Sequence, residues 1–299
     1  MNLISLTFLL AQQQSESGIT HSFLATGSET FIVSGTGERV WTYPRSTRDG
    51  WVLSNGNVLL AVSKGKDYPG GAVVEVDRSG KVLFEHKGTQ SEVDTAQALA
   101  NGNILLTESG AKPRLMEVDR AGKVVVEVAL DCQVKNHHMQ TRMARKLANG
   151  NYLVPHLFDR VVREYKADGT TAWEAKTPDD PKESWPFTAI RLENGNTLVN
   201  CTHGNMTLEF DPAGKIVWQV SNGDLPSPLF SDPCGGQRLP NGNTVIASYG
   251  AGGAGRVKLF EITREKKVVW TWTWDKAHGV HTVHVFETNG KAIEGAPLK

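Results

Sequence analysis

The chain has 299 residues, and its 32 Lys plus Arg are balanced by 32 Asp plus Glu. That balance points away from nucleic acid and from an anionic membrane surface, both of which select for excess basic charge. No internal apolar run approaches the roughly 20 residues of a membrane-spanning helix, while 30 glycines among short aliphatic runs give an all-β composition.

The chain opens on an apolar stretch, Leu3 to Ala11, followed by polar residues 12–17. This has the outline of a secretory signal, without a leading Lys or Arg. A periplasmic or secreted protein is therefore expected, with an apolar tail on a cytoplasmic protein as the alternative. Residues 1–17 are set apart as signal peptide or tail, and 18–299 as one domain. Next come Phe23–Thr26, which read as a second strand, and Phe31 to Trp41, which read as a strand–turn–strand unit.

From there a repeat takes over. Asn-Gly-Asn stands at 55–57, 101–103, 149–151, 194–196 and 241–243, with a degenerate copy at Asn289-Gly290-Lys291. The spacings are 46, 48, 45, 47 and 48 residues. Asn-Gly between β-runs predicts a two-residue type I′ hairpin. A leucine precedes each full copy by two residues (Leu53, Leu99, Leu147, Leu192, Leu239). After each hairpin comes Glu-Val-Asp-x-x-Gly-Lys-Val or a weaker version, with Asp-x-x-Gly as a second turn. A bulky residue follows at Trp41, Phe84, Val126, Trp173, Trp218 and Trp270. Four strands in about 45 residues predict a propeller blade. The whole is read as a single six-bladed β-propeller, closed by one C-terminal strand pairing with three N-terminal strands. A two-plus-two closure is the alternative.

Both repeated turns fall on one face, so they read as structural. Function is expected on the opposite, top face, where the connections are longer and dissimilar. Counting back seven residues from each Asn-Gly-Asn gives Arg48, Asp94, Arg142, Phe187 and Cys234; one extra residue in the last repeat gives His281. A mixed set of Arg, Asp, Arg, Phe, Cys and His at one ring level predicts a ligand pocket at the channel mouth. Trp51, Tyr68, Trp185 and Tyr249 are expected as exposed stacking aromatics near it.

Of nine histidines, His137, His138, His156, His203, His278, His281 and His284 map to the top half, and His21 and His86 to surface or loop. Positions three apart on a strand point to opposite faces, so His278, His281 and His284 cannot all converge, and His281 is favoured because it falls in the channel-mouth column. Imidazole serves as nucleophile, acid/base or metal ligand near neutral pH. Arg48 and Arg142 suit an anionic group. Cys132, Cys201 and Cys234 allow one disulfide at most and form no zinc-knuckle spacing.

The run His137-His138-Met139 leading into Leu147-Ala148-Asn149-Gly150-Asn151 is similar to bacterial arylsulfotransferase-like propellers. So is Cys201-Thr202-His203-Gly204-Asn205 followed by Phe210-Asp211. The blades also resemble pyrroloquinoline-quinone-type repeats. The first resemblance implies a periplasmic six-bladed enzyme that moves a sulfuryl group between phenols. It implies His138, His203, Asn205 and His281 around the sulfate, with His281 as nucleophile.

Three functions follow as expectations. The first is an enzyme, or binder, for a small anionic or phenolic ligand. His281, His138 and His203 would be its catalytic residues, with Arg48, Asp94, Arg142, Asn205, His156, Trp185 and Cys234 as its substrate contacts. The second is a non-catalytic propeller for a carbohydrate or protein. The third is a metal-dependent lyase or hydrolase with His138, His156, His203 and His281 holding a divalent ion. Pyrroloquinoline quinone is not expected as a cofactor, since a repeat is not a binding site. No nucleic-acid partner is expected, and a monomer is.

Overall fold

The computed structural model describes residues 12–275 and 279–299. The apolar stretch 3–11 and His278 lie outside them. Six antiparallel sheets form a ring. In chain order the first five blades span 47–87, 92–129, 145–176, 184–221 and 233–274, and each runs inner strand to outer strand by consecutive pairing. The sixth is composite. Its outer three strands are His21–Thr26, Thr30–Val33 and Arg39–Tyr43, and its inner strand is Thr282–Thr288. This is the three-plus-one closure expected from the repeat. A further strand, Gln12–Gln14, pairs with the outer strand of the fifth blade, so the seam is held on both sides. Among the described residues no α-helix occurs; two 3-10 turns, His137–Met139 and Asn222–Asp224, sit in top connections. No helix there is long and apolar enough to cross a membrane.

Alternation of apolar side chains along the strands fills the gaps between blades. Trp51, Leu59, Val73, Val93, Leu106 and Met116, for example, form one cluster between the first two blades. The repeated motifs explain how the blades are held in register. Asn57, Asn151, Asn196 and Asn243 donate side-chain hydrogen bonds to the glutamate of their own blade: Glu75, Glu164, Glu209 and Glu261. Each glutamate in turn meets a basic residue of the next blade. The pairs are Glu75–Arg120, Glu117–Lys146, Glu164–Arg191 at 2.8 Å, Glu209–Arg264 at 2.5 Å and Glu261–His21 at 2.8 Å. The bulky column does the same through its indoles. Trp41, Trp173 and Trp218 donate to the main-chain oxygens of Arg78, Pro212 and Arg264 in the following blade. The motif is therefore a blade-to-blade fastening on the bottom face.

The hairpins differ from the type I′ expectation. In the five full copies only the glycine has positive φ, for example +86° at Gly56. Leu53 N–H bonds Asn57 O while Gly56 N–H bonds Leu53 O, so the loop has three residues, a type I turn closed by a left-handed glycine. The Asn55 side chain accepts the Asn57 N–H, which favours this form. The degenerate copy adopts the two-residue turn instead: Asn289 and Gly290 both have positive φ, and Thr288 pairs with Lys291.

The bottom of the channel is not empty. Residues 291–299 return across it, with Leu298 O accepting the Arg238 N–H. Lys299 is buried beside Asp49. Trp51 and Tyr68, expected on the surface, are buried, because the neighbouring blades cover them. Trp51 donates to Ala96 O of the next blade. His21, expected at the surface, is 1% exposed, because it fastens the fifth and sixth blades through Glu261.

Candidate functional site

At the top mouth a cavity of about 330 Å³ is lined by Arg48, His138, Arg142, Trp185, Phe187, His203, Cys234, Tyr249 and His281, among others. Five of the six ring-level residues are in that lining. The sixth, Asp94, lies fully buried beneath it, 3.6 Å from Arg48 and 3.5 Å from Arg142. Strand register explains the convergence: residues at equal distance from equivalent hairpins reach equal height.

His281 sits just before the inner strand of the sixth blade and stacks on Tyr249, with ring centroids 4.1 Å apart. Burial, and then the positive charges of Arg48 and Arg142, push its imidazole down to about 3. It is thus neutral at physiological pH, and its Nδ1 has no hydrogen-bond partner among the described residues. Arg142 is 3% exposed, and burial lowers its guanidinium to about 10.

His138 reaches the mouth on the 3-10 turn, capped by Asn136. Its Nδ1 lies 2.9 Å from Glu92 Oε1. Glu92 is 1% exposed and also meets Arg48 and, at 3.0 Å, Lys64. Burial alone would raise this carboxyl. The hydrogen bonds from His138 and Lys64 and the Arg48 charge instead hold it well below the usual carboxylate range. Asp94 goes the other way: burial raises it, and Arg142 and Arg48 pull it back only in part. The cluster Arg48, Arg142, Lys64, Glu92 and Asp94 therefore carries about one net positive charge when all are ionised.

His203 lies on the opposite side, in the hairpin after strand Thr197–His203. Its ring packs on Trp185 at 4.2 Å, and Trp185 in turn meets Phe158 at 4.5 Å. Asn205 supports that hairpin rather than lining the cavity. It accepts the Asp232 N–H and donates to His203 O. Both His203 and Asn205 have positive φ. Cys234 is a buried free thiol, raised by burial.

Three expected members are absent from the lining: Asp94, Asn205 and His156. His156 is fully buried, with Nε2 3.0 Å from the Tyr165 hydroxyl and Nδ1 3.4 Å from Cys132 Sγ. It is therefore separated from His138, His203 and His281, and those four do not form one metal site. His284, three residues along from His281, accepts the Val52 N–H lower in the channel. The lining residues not anticipated are Ser63, Met139, Leu157, Thr202 and Asp232. Glu92, which holds Arg48 and His138 from outside the lining, was not anticipated either. Glu92 was within reach of the sequence, because it stands two residues before Asp94 and so shares its face of the strand.

A larger cavity, about 480 Å³, lies on the bottom face under residues 293–298. Three of its five charged groups, Glu209, Arg238 and Arg264, already pair with one another, and the other two, Glu193 and Glu294, are exposed carboxylates. The top cavity is the one with a neutral imidazole and uncovered histidines.

Comparisons with known proteins agree on architecture. A sequence profile described as Mal s 1 allergenic protein-like matches residues 52–225. No curated protein matches the sequence. A protein of unknown function from Bacteroides caccae superposes with a TM-score of 0.74 at 26% identity, over 88% of this chain and 98% of that one. A streptogramin B lyase gives 0.60 at 13% identity, over 87% of each chain. A catalytically inactive virginiamycin B lyase from Staphylococcus aureus with quinupristin gives 0.58 at 13%, over 89% and 88%.

Proposed function

The chain belongs to the Mal s 1 allergenic protein-like family, and from that premise we propose that it binds a small aromatic anion at the top mouth of its channel, with the neutral His281 imidazole as a hydrogen-bonding partner inside the site. The observation that carries this reading is a neutral imidazole beside Arg48 and Arg142 in one aromatic-walled cavity. A neutral imidazole donates from one ring nitrogen and accepts at the other, and the two guanidiniums pair with the negative charge of the ligand. Trp185, Phe187 and Tyr249 supply stacking surface. His138 and His203 face the same space from two sides and serve as hydrogen-bond donors. A lyase of the same fold class also depends on a histidine: the quinupristin-bound one is catalytically inactive with a histidine changed to alanine.

Sulfuryl transfer is the second reading. It is favoured by His138, His203 and His281 lining the same cavity, as the arylsulfotransferase resemblance implies. 4-Nitrophenyl sulfate and the uncharged 4-nitroanisole test both. Titration calorimetry is expected to show the anion binding at least about tenfold more tightly. Arg142→Ala should erase that preference. Release of 4-nitrophenolate with the sulfuryl group passing to a phenol acceptor would favour the transfer reading. If Arg142→Ala and His281→Ala both bind the anion as the parent does, the site is wrongly placed.

A further inference from the structure

Three groups outside the channel mouth converge where the loop between the second and third blades meets the third blade. Cys132 comes from the loop after strand Val124–Ala129. His156 ends strand Tyr152–His156, and Asp159 lies in the turn that follows. Cys132 Sγ is 3.4 Å from His156 Nδ1, and that nitrogen is 3.8 Å from Asp159 Oδ2. All three ligand atoms lie within 4.8 Å of one another. A tetrahedral ion with bonds of 2.0–2.3 Å holds its ligand atoms about 3.3–3.8 Å apart.

We propose that Cys132, His156 and Asp159 form a zinc site that clamps the loop carrying His137, His138 and Arg142 to the third blade. This is independent of the reading of the channel mouth. The donor set argues for zinc: a thiolate and an imidazole exclude magnesium and calcium, which take oxygen ligands. Charge also fits. One thiolate and one carboxylate cancel a divalent ion in a largely buried place, and binding releases the Cys132 thiol proton. Supporting contacts are already present. The Tyr165 hydroxyl at 3.0 Å fixes His156 through Nε2, leaving Nδ1 towards Cys132 and Asp159. The Gln133 main-chain N–H holds Asp159 Oδ2 at 3.1 Å. Without an ion, burial pushes the Cys132 thiol up to about 12, so it stays protonated and inert. Three protein ligands leave one tetrahedral corner for solvent. None of the three lines the channel-mouth cavity, so the ion acts on the loop and not on the ligand there.

The test uses the full chain stripped with EDTA and then titrated with zinc chloride or cobalt chloride. One equivalent of zinc should bind per chain and raise the melting temperature. Cobalt should give a thiolate charge-transfer band that Cys132→Ala removes. Asp159→Asn, a half-buried change that leaves the strand intact, should weaken zinc at least about tenfold and keeps the test valid if Cys132→Ala does not fold. The proposal is overturned if the folded, stripped chain takes up no stoichiometric zinc. It is equally overturned if Cys132→Ala or Asp159→Asn binds zinc as the parent does.

Discussion

Lys299 places its ammonium 3.0 Å from the Asp49 carboxylate inside the channel, and neither side chain is exposed. Arg145 joins the same carboxylate at 2.8 Å, and the Lys299 ammonium also sits 4.0 Å from the Trp51 ring centroid. Asp49→Asn leaves two buried cations facing each other and should cost about 3–5 kcal/mol. Lys299→Met keeps the stem over Trp51 and leaves Arg145 paired with Asp49, so it should cost clearly less. Urea denaturation of the two variants checks the order, and the reverse order would refute it.

Acid should weaken the fold well above the carboxylate range. Burial pushes His156, His281 and His284 down to about 3 in the folded chain, against an ordinary value of 6.5. Between those values the unfolded chain holds more protons, so stability is full above pH 6.5 and falls as pH drops. The ceiling is about 1.4 kcal/mol per histidine per pH unit. Urea melts at pH 7, 6 and 5 should show this slope, and His284→Gln should reduce it by about a third.

Glu92→Gln should move stability and affinity in opposite directions. The carboxylate serves Arg48, Lys64 and His138 at once. Removing its charge leaves the Arg48 and Lys64 cations undercompensated and lowers the melting temperature. The same change makes the mouth more positive, so 4-nitrophenyl sulfate should bind more tightly. A parallel loss of both would mean that Glu92 acts only through folding.

Trp185→Ala removes a stacking surface without touching a charge of the cluster. Binding of 4-nitrophenyl sulfate should weaken by about 1 kcal/mol, near fivefold. Binding of an alkyl sulfate should change much less. Calorimetry with both anions makes the comparison.

On the bottom face the expectation is the opposite. Asn149 and Asn151 both donate to Glu164 Oε1, at 2.9 and 2.6 Å. Asn151→Ala should cost about 1–2 kcal/mol of stability and leave anion affinity unchanged. A change in affinity would show that the two faces are coupled.

Blade number, closure and ring level could all be read from the chain because one hairpin recurs and fixes register. Arg48, Arg142, Phe187, Cys234 and His281 follow by counting. What escaped depends on neighbours that no local pattern names. Trp51 and Tyr68 look like surface aromatics until adjacent blades cover them. His21 substitutes for an arginine or lysine of other blades, so the fastening is recognisable only once Glu261 is opposite it. His156 counts correctly to the top of its strand, yet it points to Cys132 and Tyr165 and not to the mouth. The Asn-Gly-Asn turn type was misread because the side chain of the first Asn competes for the backbone of the second.

Leu24 pairs with His284, across 260 residues of chain. A ribosome adding about 5–20 residues per second needs roughly 10–50 s to cover that distance. Through that interval strand His21–Thr26 has its inner edge unpaired, while five complete blades are built beside it. An open ladder is a template for any other emerging copy. Exchange of the last strand between neighbouring chains on a polysome is thus the misassembly this ring invites, and slow delivery of strand Thr282–Thr288 prolongs the risk.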